Sequence, residues 1–407
     1  MDTRKKKRIT VLVGAGAMVE ATNVSTASIT EEVYNACAKY SFHNGKEILR
    51  EFEKDFNASA IVGDRKTNFE DLLDLLENSI DFMNASSTPA TTILANLKPK
   101  YLELKSVGCL GIKRDFFSAI NFHINEYDKE FESKGHWMKN FFDELIRKEE
   151  CLLDVFNLNY DTWIERIIPD YVDGYEAIDG YDFKRFIAHR YLDPKERHTI
   201  SHIHGQICFA EADFRREDIN LFSFEEQGYT LYKYPSFKAA EYVRKKIYSS
   251  DDTNQSGHSM IVSNIITGRM KTDKLLWSPF HIYMYGLIRA LIENHELIII
   301  GYGFGDYYIN SLLFKYLGVH HDKHVRIITY ADPDEFECRV IENGDPFYVS
   351  TESTFVRCAM RAESWCKPYN RRKDGRFVSK ASDAELYLNG FKDYCKRYIS
   401  GEFDHSF

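Results

Sequence analysis

The chain has 407 residues, of which 44% are hydrophobic and 28% charged, so it is long enough for one large domain with insertions or for two domains. Its formal net charge of −9 argues against sequence-independent DNA binding, which needs lysines and arginines to neutralise phosphates. No apolar run approaches the roughly 18 residues of a membrane span, and the basic run at residues 4–8 leads straight into a strand rather than a secretory signal.

Eight cysteines are scattered along the chain without a Cys-x-x-Cys pair. This distribution is typical of reduced thiols in the cytoplasm and provides no cysteine-based zinc site. We therefore expect a cytoplasmic protein without zinc.

The first predicted element is a strand at residues 8–13, a β-branched apolar run typical of a buried parallel strand. It ends in Gly14, Ala15 and Gly16, followed by a helical pattern. Backbone N–H groups of such a turn can approach a pyrophosphate closely, so these three residues are candidate dinucleotide contacts. Val19 stands where the usual fingerprint has a third glycine, and a tight structural turn is an equally valid interpretation.

Residues from about 20 to 150 show helical periodicity, which predicts a largely helical insertion after the first strand. Asn68 is the predicted cap of a helix whose apolar residues follow i, i+3, i+4, i+7 spacing. Further helices are predicted near residues 44–56, 112–132 and 137–149. Core packing is sufficient to explain these apolar stripes.

Strand patterns return at residues 152–158, 199–209, 297–300 and 325–330. Ser278 and Pro279 predict a cap and a first-turn proline for one intervening helix, and Asp306 precedes another that Gly318 should end. This alternation predicts an α/β fold with a Rossmann-like parallel sheet flanked by helices.

Two regions have other patterns. Residues 211–275 are polar and aromatic with poor periodicity, which predicts an irregular insertion, and Ser382 and Glu385 predict a capping box for a final helix at about 383–398. The predicted division of the chain is a Rossmann-type domain at residues 1–334, which carries both insertions, and a C-terminal extension at residues 335–407.

Asn159 and Asp161 follow the second predicted strand. Ligands bind at the carboxyl ends of strands in open α/β sheets, and residues two apart point the same way, here towards that crevice. The alternative is that Asp161 makes an Asx turn or caps the helix that contains Trp163.

Several histidines, at positions 198, 202 and 204, are predicted to share the strand that contains Gly205. His202 and His204 would lie on one face and could chelate a metal, but no cysteine or acidic partner is placed to complete the coordination, so we expect no metal. A histidine followed by glycine, as at His204, suits a general base with room for a substrate beside it. A hydrogen-bonded core histidine is the alternative.

The strongest local signal is the stretch 301–306, Gly-Tyr-Gly-Phe-Gly-Asp, between a strand and a helix. Alternate glycines weaken a turn unless a ligand or a neighbouring backbone must come close. We predict a second backbone-lined cradle whose candidate contacts are Gly301, Tyr302, Gly303 and Asp306. After the next strand, Asp332 is placed where a carboxylate could hold a ribose hydroxyl.

In this order, Gly-Ala-Gly, Asn-x-Asp, His-Gly and the glycine-rich turn resemble the NAD-binding core of the sirtuin superfamily. They most resemble the divergent sirtuin-like domains of bacterial anti-phage systems, as do residues 265–268 (Ile-Ile-Thr-Gly), Lys271 and Pro279. The resemblance covers about a third of the chain, at residues 8–20, 152–209 and 262–334.

The resemblance implies a role for each matching residue. Asn159 and His204 match the catalytic Asn and His of the family, and Asp161 matches the Asp that meets the nicotinamide amide. The pyrophosphate and ribose contacts match Gly14 to Gly16 and Gly301 to Gly303, while Asp332 matches the adenosine-ribose position more loosely.

Protein-deacylating members of the family carry a zinc ribbon of paired Cys-x-x-Cys motifs, which this sequence lacks. The resemblance therefore favours hydrolysis of NAD+, as a substrate, to nicotinamide and ADP-ribose in anti-phage defence. It also implies a homo-oligomer with a HerA-type hexameric ATPase as partner. The alternatives are a protein deacylase or ADP-ribosyltransferase, a non-catalytic sensor of NAD or ADP-ribose, and a nuclease subunit of a defence complex.

Overall fold

A computed structural model provides the structure of the protein. It describes residues 6–40, 46–47, 49–50, 53–54, 67–85, 106–212, 230–247, 263–267, 271–319, 323–332, 359, 369–380 and 382–403. Outside these residues lie Gly268 and the greater part of the helix predicted at 44–56. Of the irregular insertion predicted at 211–275, residues 213–229, 248–262 and 268–270 also lie outside them.

The strands of the described chain are β1 (Arg8–Val13), β2 (Leu152–Asn157), β3 (Tyr171–Val172), β4 (Tyr175–Ala177), β5 (Lys184–Phe186), β6 (His198–His202), β7 (Phe209–Ala210), β8 (Tyr232–Lys233), β9 (Glu296–Ile300), β10 (His324–Ile328), β11 (Tyr369–Arg371), β12 (Arg376–Ser379) and β13 (Ala384–Tyr387). The helices are α1 (Gly16–Thr22), α2 (Thr26–Tyr40), α3 (Phe69–Ala85), α4 (Ser106–Asp128), α5 (Phe131–Lys134), α6 (His136–Glu149), α7 (Trp163–Ile167), α8 (Ala188–Leu192), α9 (Phe237–Ile247), α10 (Lys271–Lys274), α11 (Phe280–Glu293), α12 (Tyr307–Val319) and α13 (Phe391–Ser400).

The central sheet contains nine of the described strands in the order β11-β12-β13-β10-β9-β1-β2-β6-β3. The pairs from β13 through to β3 are parallel, and only β11 with β12 and β12 with β13 pair antiparallel among these strands. Strand β1 lies in the middle, between β9 and β2. This arrangement confirms the predicted Rossmann-like α/β fold.

Both faces of the central strands are buried. In β1, Ile9 and Val11 pack in one hydrophobic cluster with the helical insertion and α13, whereas Leu12 packs in a second cluster with α11 and α12. Strand β9 alternates in the same way, with Ile298 in the first cluster and Ile299 in the second. Successive side chains of a strand point to opposite faces, so helices on both sides explain these continuous apolar runs.

The helical insertion between β1 and β2 is built from α1 to α6 in the described residues. Its predicted cap is confirmed: Asn68 Oδ1 accepts the backbone N–H groups of Glu70 at 2.9 Å and Asp71 at 3.1 Å, at the start of α3. The described residues within 44–56 are helical as well. No helix in the described parts of the chain is long and apolar enough to cross a membrane.

The capping box predicted at Ser382 and Glu385 is wrong. Residues 384–387 form β13, which pairs parallel with β10, and α13 begins only at Phe391. The Glu385 carboxylate contacts Arg376 instead of reaching back to a helix N-terminus. A local motif that also occurs in helix caps is here overridden by strand pairing, and the C-terminal strands extend the central sheet.

Two helix boundaries and one region differ from the prediction. Pro279 stands immediately before α11, where its carbonyl accepts the N–H of Tyr283 at 3.1 Å, and no side chain caps this helix. Helix α12 continues past Gly318 to Val319. The region predicted as irregular contains β8, which pairs with β5 and β7 in a small antiparallel sheet, and helix α9 packs beside it.

A buried arginine joins three parallel strands. The Arg326 guanidinium on β10 lies 2.9 Å from the Glu296 carboxylate on β9 and 3.4 Å from that of Glu385 on β13. The side chains of all three are at most 8% exposed. Removing one member of a buried ion group leaves the other charges poorly compensated, which costs far more than losing an exposed pair.

Arg326→Met is expected to lower the free energy of unfolding by about 2 kcal/mol, measured by urea denaturation, because Glu296 and Glu385 lose their shared partner and keep only Lys7 and Arg376, respectively. Arg147→Met is the matched control, since Arg147 pairs with Glu144 on the surface and is 69% exposed. Equal effects of the two variants would contradict the role given to Arg326.

Candidate active site

The four sequence motifs follow four neighbouring strands. The first glycine turn follows β1, Asn159 follows β2, His204 follows β6 and the second glycine turn follows β9. These strands are adjacent and parallel in the order β9-β1-β2-β6, so their carboxyl ends meet at one edge of the sheet. This edge is where open α/β sheets bind ligands.

The two glycine turns pack directly against each other. Gly14 N–H donates to the Ile300 carbonyl and Gly16 N–H donates to the Gly301 carbonyl, both at 2.8 Å. A Cβ atom on Gly14 would lie 2.7 Å from the Gly301 oxygen, and one on Gly301, where φ is +58°, would collide with the Ala17 nitrogen. Close approach of two backbones therefore explains these three glycines.

Open space lies further along the second turn. A Cβ atom on Gly303 or on Gly305 would meet nothing within 4 Å, whereas the N–H groups of Gly14 and Gly16 already donate within the fold. The side with room for a ligand is thus the second turn. Contact of Gly14, Ala15 and Gly16 with a pyrophosphate stays a prediction.

Asn159 is buried and faces the first glycine turn. Its Nδ2 donates to the Gly14 carbonyl at 3.2 Å, and its backbone N–H donates to Asn157 Oδ1 at 3.0 Å. The side chain is thereby placed between the ends of β2 and β1. The position agrees with the one expected for a residue that meets a ligand at the strand ends.

Asp161 makes an Asx turn immediately before α7. Its Oδ1 accepts the N–H of Trp163, the first residue of α7, at 2.9 Å, and its Oδ2 accepts the Tyr127 hydroxyl at 3.1 Å. Burial, and then the charge of Asp128, raise the pKa of the Asp161 carboxyl to about 6. The alternative interpretation from the sequence thus accounts for these contacts, and a contact with nicotinamide stays a prediction.

His204 lies in a turn rather than in a strand. Strand β6 ends at His202, and Gly205 has a φ of +90° that disfavours any residue with a side chain. The His204 carbonyl accepts the Ile266 N–H at 2.7 Å, and a Cβ on Gly205 would collide with the Asn264 carbonyl. The segment 263–267 therefore holds the backbone of His204 from one side.

His204 is paired with a carboxylate from the second glycine turn. His204 Nε2 lies 3.1 Å from Asp306 Oδ2, and each side chain is 10% exposed. The other oxygen, Asp306 Oδ1, accepts the N–H groups of Tyr308 and Ile309 at 2.9 and 3.0 Å, which confirms the prediction that Asp306 immediately precedes α12. Although burial opposes ionisation, His204 and Lys271 hold the pKa of Asp306 well below its usual range.

Two further charged residues extend this pair. Lys271 Nζ lies 3.4 Å from Asp306 Oδ2 and 3.1 Å from Glu70 Oε1, and Thr267 donates its hydroxyl to the same Glu70 oxygen at 3.0 Å. Glu70 belongs to α3 of the helical insertion, so the insertion reaches the candidate site. Glu70 could not be predicted from the sequence, because its position in the first turn of a capped helix carries no chemical signal.

His202 belongs to a different cluster, which corrects the prediction that it shares a strand face with His204. Its Nε2 lies 3.0 Å from the Glu165 carboxylate and 3.0 Å from Gln206 Nε2. Glu165 also binds Lys233 at 2.7 Å, deep in the protein. Within the described ranges, no three His, Cys, Asp or Glu side chains are grouped as a metal ion would require.

Tyr302 and Asp332 occupy different surroundings. Tyr302 is buried, and its hydroxyl donates to Asn310 Oδ1 at 2.8 Å, so it supports the second turn. Asp332 is exposed beyond the end of β10. The contacts of both residues with a dinucleotide stay predictions.

Two surface cavities lie away from Asn159 and His204. One, of about 560 Å³, is lined by Lys184, Arg166, Lys233 and their neighbours, and the other, of about 730 Å³, is lined by aromatic residues such as Tyr181 and Tyr242. Neither lining includes a residue of the four motifs. They are therefore alternative places for a ligand, which a binding experiment must distinguish.

Residues 154–345 match the family model of the SIR2-like domain. The matched segment includes Asn159, His204 and the second glycine turn, while β1 with the first glycine turn precedes it. No curated protein matches the chain significantly. The match supports a sirtuin-like domain in this part of the chain and a sirtuin-related function that depends on NAD.

Gly303→Ala is expected to weaken the binding of ADP-ribose about tenfold or more, measured by calorimetry, because the added Cβ would fill the open space beside the second turn. The fold should keep its stability, since the Cβ meets nothing in the protein. Gly301→Ala is the matched control for the fold and should lower the free energy of unfolding by about 1–3 kcal/mol. Wild-type affinity in Gly303→Ala would place the ligand elsewhere.

The raised pKa of Asp161 predicts that the stability of the protein depends on pH. Its pKa is about 6 in the folded protein, above the ordinary value of 3.8, so the folded state holds the proton more tightly and the contribution of Asp161 to stability falls as pH rises from about 4 to 6. Asp161→Asn removes this titration. Urea unfolding at several pH values should therefore show the variant gaining about 2 kcal/mol relative to wild type between pH 4 and pH 7. Parallel stability curves would contradict this.

Proposed function

We propose that the chain is a sirtuin-like NAD+ hydrolase, which uses water to cleave NAD+ to nicotinamide and ADP-ribose. The observation that carries the proposal is the placement of Asn159, His204 and Asp306 after neighbouring parallel strands, with His204 paired to Asp306. Beside them the second glycine turn leaves open space at Gly303. The SIR2-like match of residues 154–345 supports NAD as the ligand.

For this reaction the protein has to position NAD+ and the attacking water, exclude bulk water and supply a base. The ring nitrogen of nicotinamide is positively charged in NAD+, so the bond from ribose C1′ to that nitrogen breaks with the electron pair leaving on neutral nicotinamide. A water oxygen forms the new bond to C1′ and loses a proton. The transition state resembles an oxocarbenium ion, which an enzyme promotes by orienting the reactants and excluding bulk water.

In this mechanism His204 takes the proton, either from the attacking water or through a ribose hydroxyl. A neutral imidazole can accept a proton in this way. The Asn159 amide, held at the Gly14 carbonyl, holds the water and the ribose. The sequence resemblance further implies that Asp161 holds the carboxamide of nicotinamide.

Hydrolysis is favoured over deacylation because the sequence contains no Cys-x-x-Cys pair for the zinc ribbon of deacylating sirtuins. A protein that only senses NAD does not require both Asn159 and His204. Their placement after two adjacent parallel strands thus favours catalysis over binding without reaction.

The biological role that we propose is depletion of NAD+ in abortive infection, as part of cytoplasmic anti-phage defence. The same sequence resemblance supports a homo-oligomer whose activity is controlled by a HerA-type hexameric ATPase. A hydrolase of so common a metabolite has to be inactive until triggered, and a partner assembly is one means of control.

The assay is release of nicotinamide from NAD+ by the purified chain, with and without the ATPase. His204→Ala and Asn159→Ala are each expected to lower the rate by about 10²–10⁴-fold, because a general base contributes that much. His324→Ala is the matched control, since His324 also contacts a carboxylate, Asp383 at 2.7 Å, at the opposite end of its strand, and should keep the rate.

Three results would contradict the proposal. Absence of turnover in both conditions, with ADP-ribose still bound, would indicate a sensor. Unchanged rates in both site variants would place the chemistry elsewhere. Release of nicotinamide only with an acetylated peptide would indicate a deacylase.

A further inference from the structure

We propose that Asp306 is a positioning residue that holds the ring proton of His204 on Nε2 and leaves Nδ1 as the base. The inference rests on the proposed function for its catalytic meaning. A carboxylate beside one imidazole nitrogen fixes the tautomer, because it accepts a proton from that nitrogen and repels a lone pair there. The distance from His204 Nε2 to Asp306 Oδ2 is 3.1 Å.

The backbone holds the Asp306 carboxylate through the oxygen that does not contact His204. Its Oδ1 accepts two backbone N–H groups, those of Tyr308 and Ile309, at the N-terminus of the helix that begins at Tyr307. This leaves Oδ2 for His204. Capping by an acidic side chain also places the negative charge where the helix dipole stabilises it.

Lys271 and Glu70 complete the arrangement. Lys271 Nζ lies between Glu70 Oε1, at 3.1 Å, and Asp306 Oδ2, at 3.4 Å. The nearer Glu70 carries part of the lysine charge, so Lys271 helps keep Asp306 ionised without displacing it from His204. Glu70 comes from α3, and this makes the helical insertion part of the support of the site.

The buried pair of His202 with Glu165 shows what distinguishes the pair of His204 with Asp306. His202 Nε2 meets Glu165, but Lys233 also neutralises Glu165 at 2.7 Å, and the His202 side chain is only 1% exposed. His204 and Asp306 are each 10% exposed and lie at the turn whose Gly303 faces open space. His204 thus keeps part of its side chain exposed, whereas His202 is enclosed by its partners.

Asp306→Asn is the discriminating variant. Its amide oxygen can still cap α12, while its NH2 group would donate to His204 Nε2 and move the ring proton to Nδ1. We expect kcat to fall about 10–100-fold, as when the carboxylate behind a functional histidine is removed, with KM changing much less. The unfolding temperature should stay close to that of the wild type.

The tautomer is measured directly by ¹⁵N NMR of the histidine rings, with His204→Ala to assign the resonance. We expect Nε2–H in the wild type and Nδ1–H in Asp306→Asn. Asp383→Asn is the matched control, because it alters the His324–Asp383 contact and should change neither kcat nor the His204 signal.

The inference is overturned if the wild-type proton is on Nδ1, or if Asp306→Asn keeps both the tautomer and the wild-type kcat. The NMR measurement needs no turnover. A chain that does not hydrolyse NAD+ would refute the proposed function, and the tautomer of the wild type and the variant would still decide whether Asp306 positions His204.

Discussion

The candidate site depends on the main-chain contact between the two glycine turns. The hydrogen bonds from Gly14 to Ile300 and from Gly16 to Gly301 join the ends of β1 and β9 so closely that no side chain fits between them. The Gly14 carbonyl on one side of this contact holds Asn159. The turn on its other side continues to Asp306, which holds His204, so one backbone junction sets the relative positions of both proposed catalytic residues.

The charge of Asp306, at the end of the second glycine turn, then determines how this turn can support His204. Asp306 caps a helix with one oxygen and meets His204 and Lys271 with the other, which keeps its pKa low despite burial. Asp161, with a hydroxyl and one backbone N–H as partners, has its pKa raised instead. The two carboxyl groups thus differ in their surroundings, and the charge suited to support a base at neutral pH is that of Asp306.

Local patterns in the sequence predicted well those elements of the fold that depend on interactions between neighbouring residues. The strand at residues 8–13, the cap at Asn68 and the helix start at Asp306 depend on neighbouring residues and are confirmed. The motif at Ser382 and Glu385 failed because pairing of β13 with β10 is a long-range interaction. For the same reason the sequence did not reveal that His204 would meet Asp306, or that Glu70 of the insertion would reach Lys271.

The most direct measurement is a crystal structure of His204→Ala with NAD+, in which substrate can bind without being consumed. We expect ribose C1′ between the Asn159 side chain and position 204, with the phosphates beside the open turn at Gly303. NAD+ bound instead in the cavity lined by Arg166, Lys184 and Lys233 would contradict it, because the four strand-end motifs would then have no part in binding the dinucleotide.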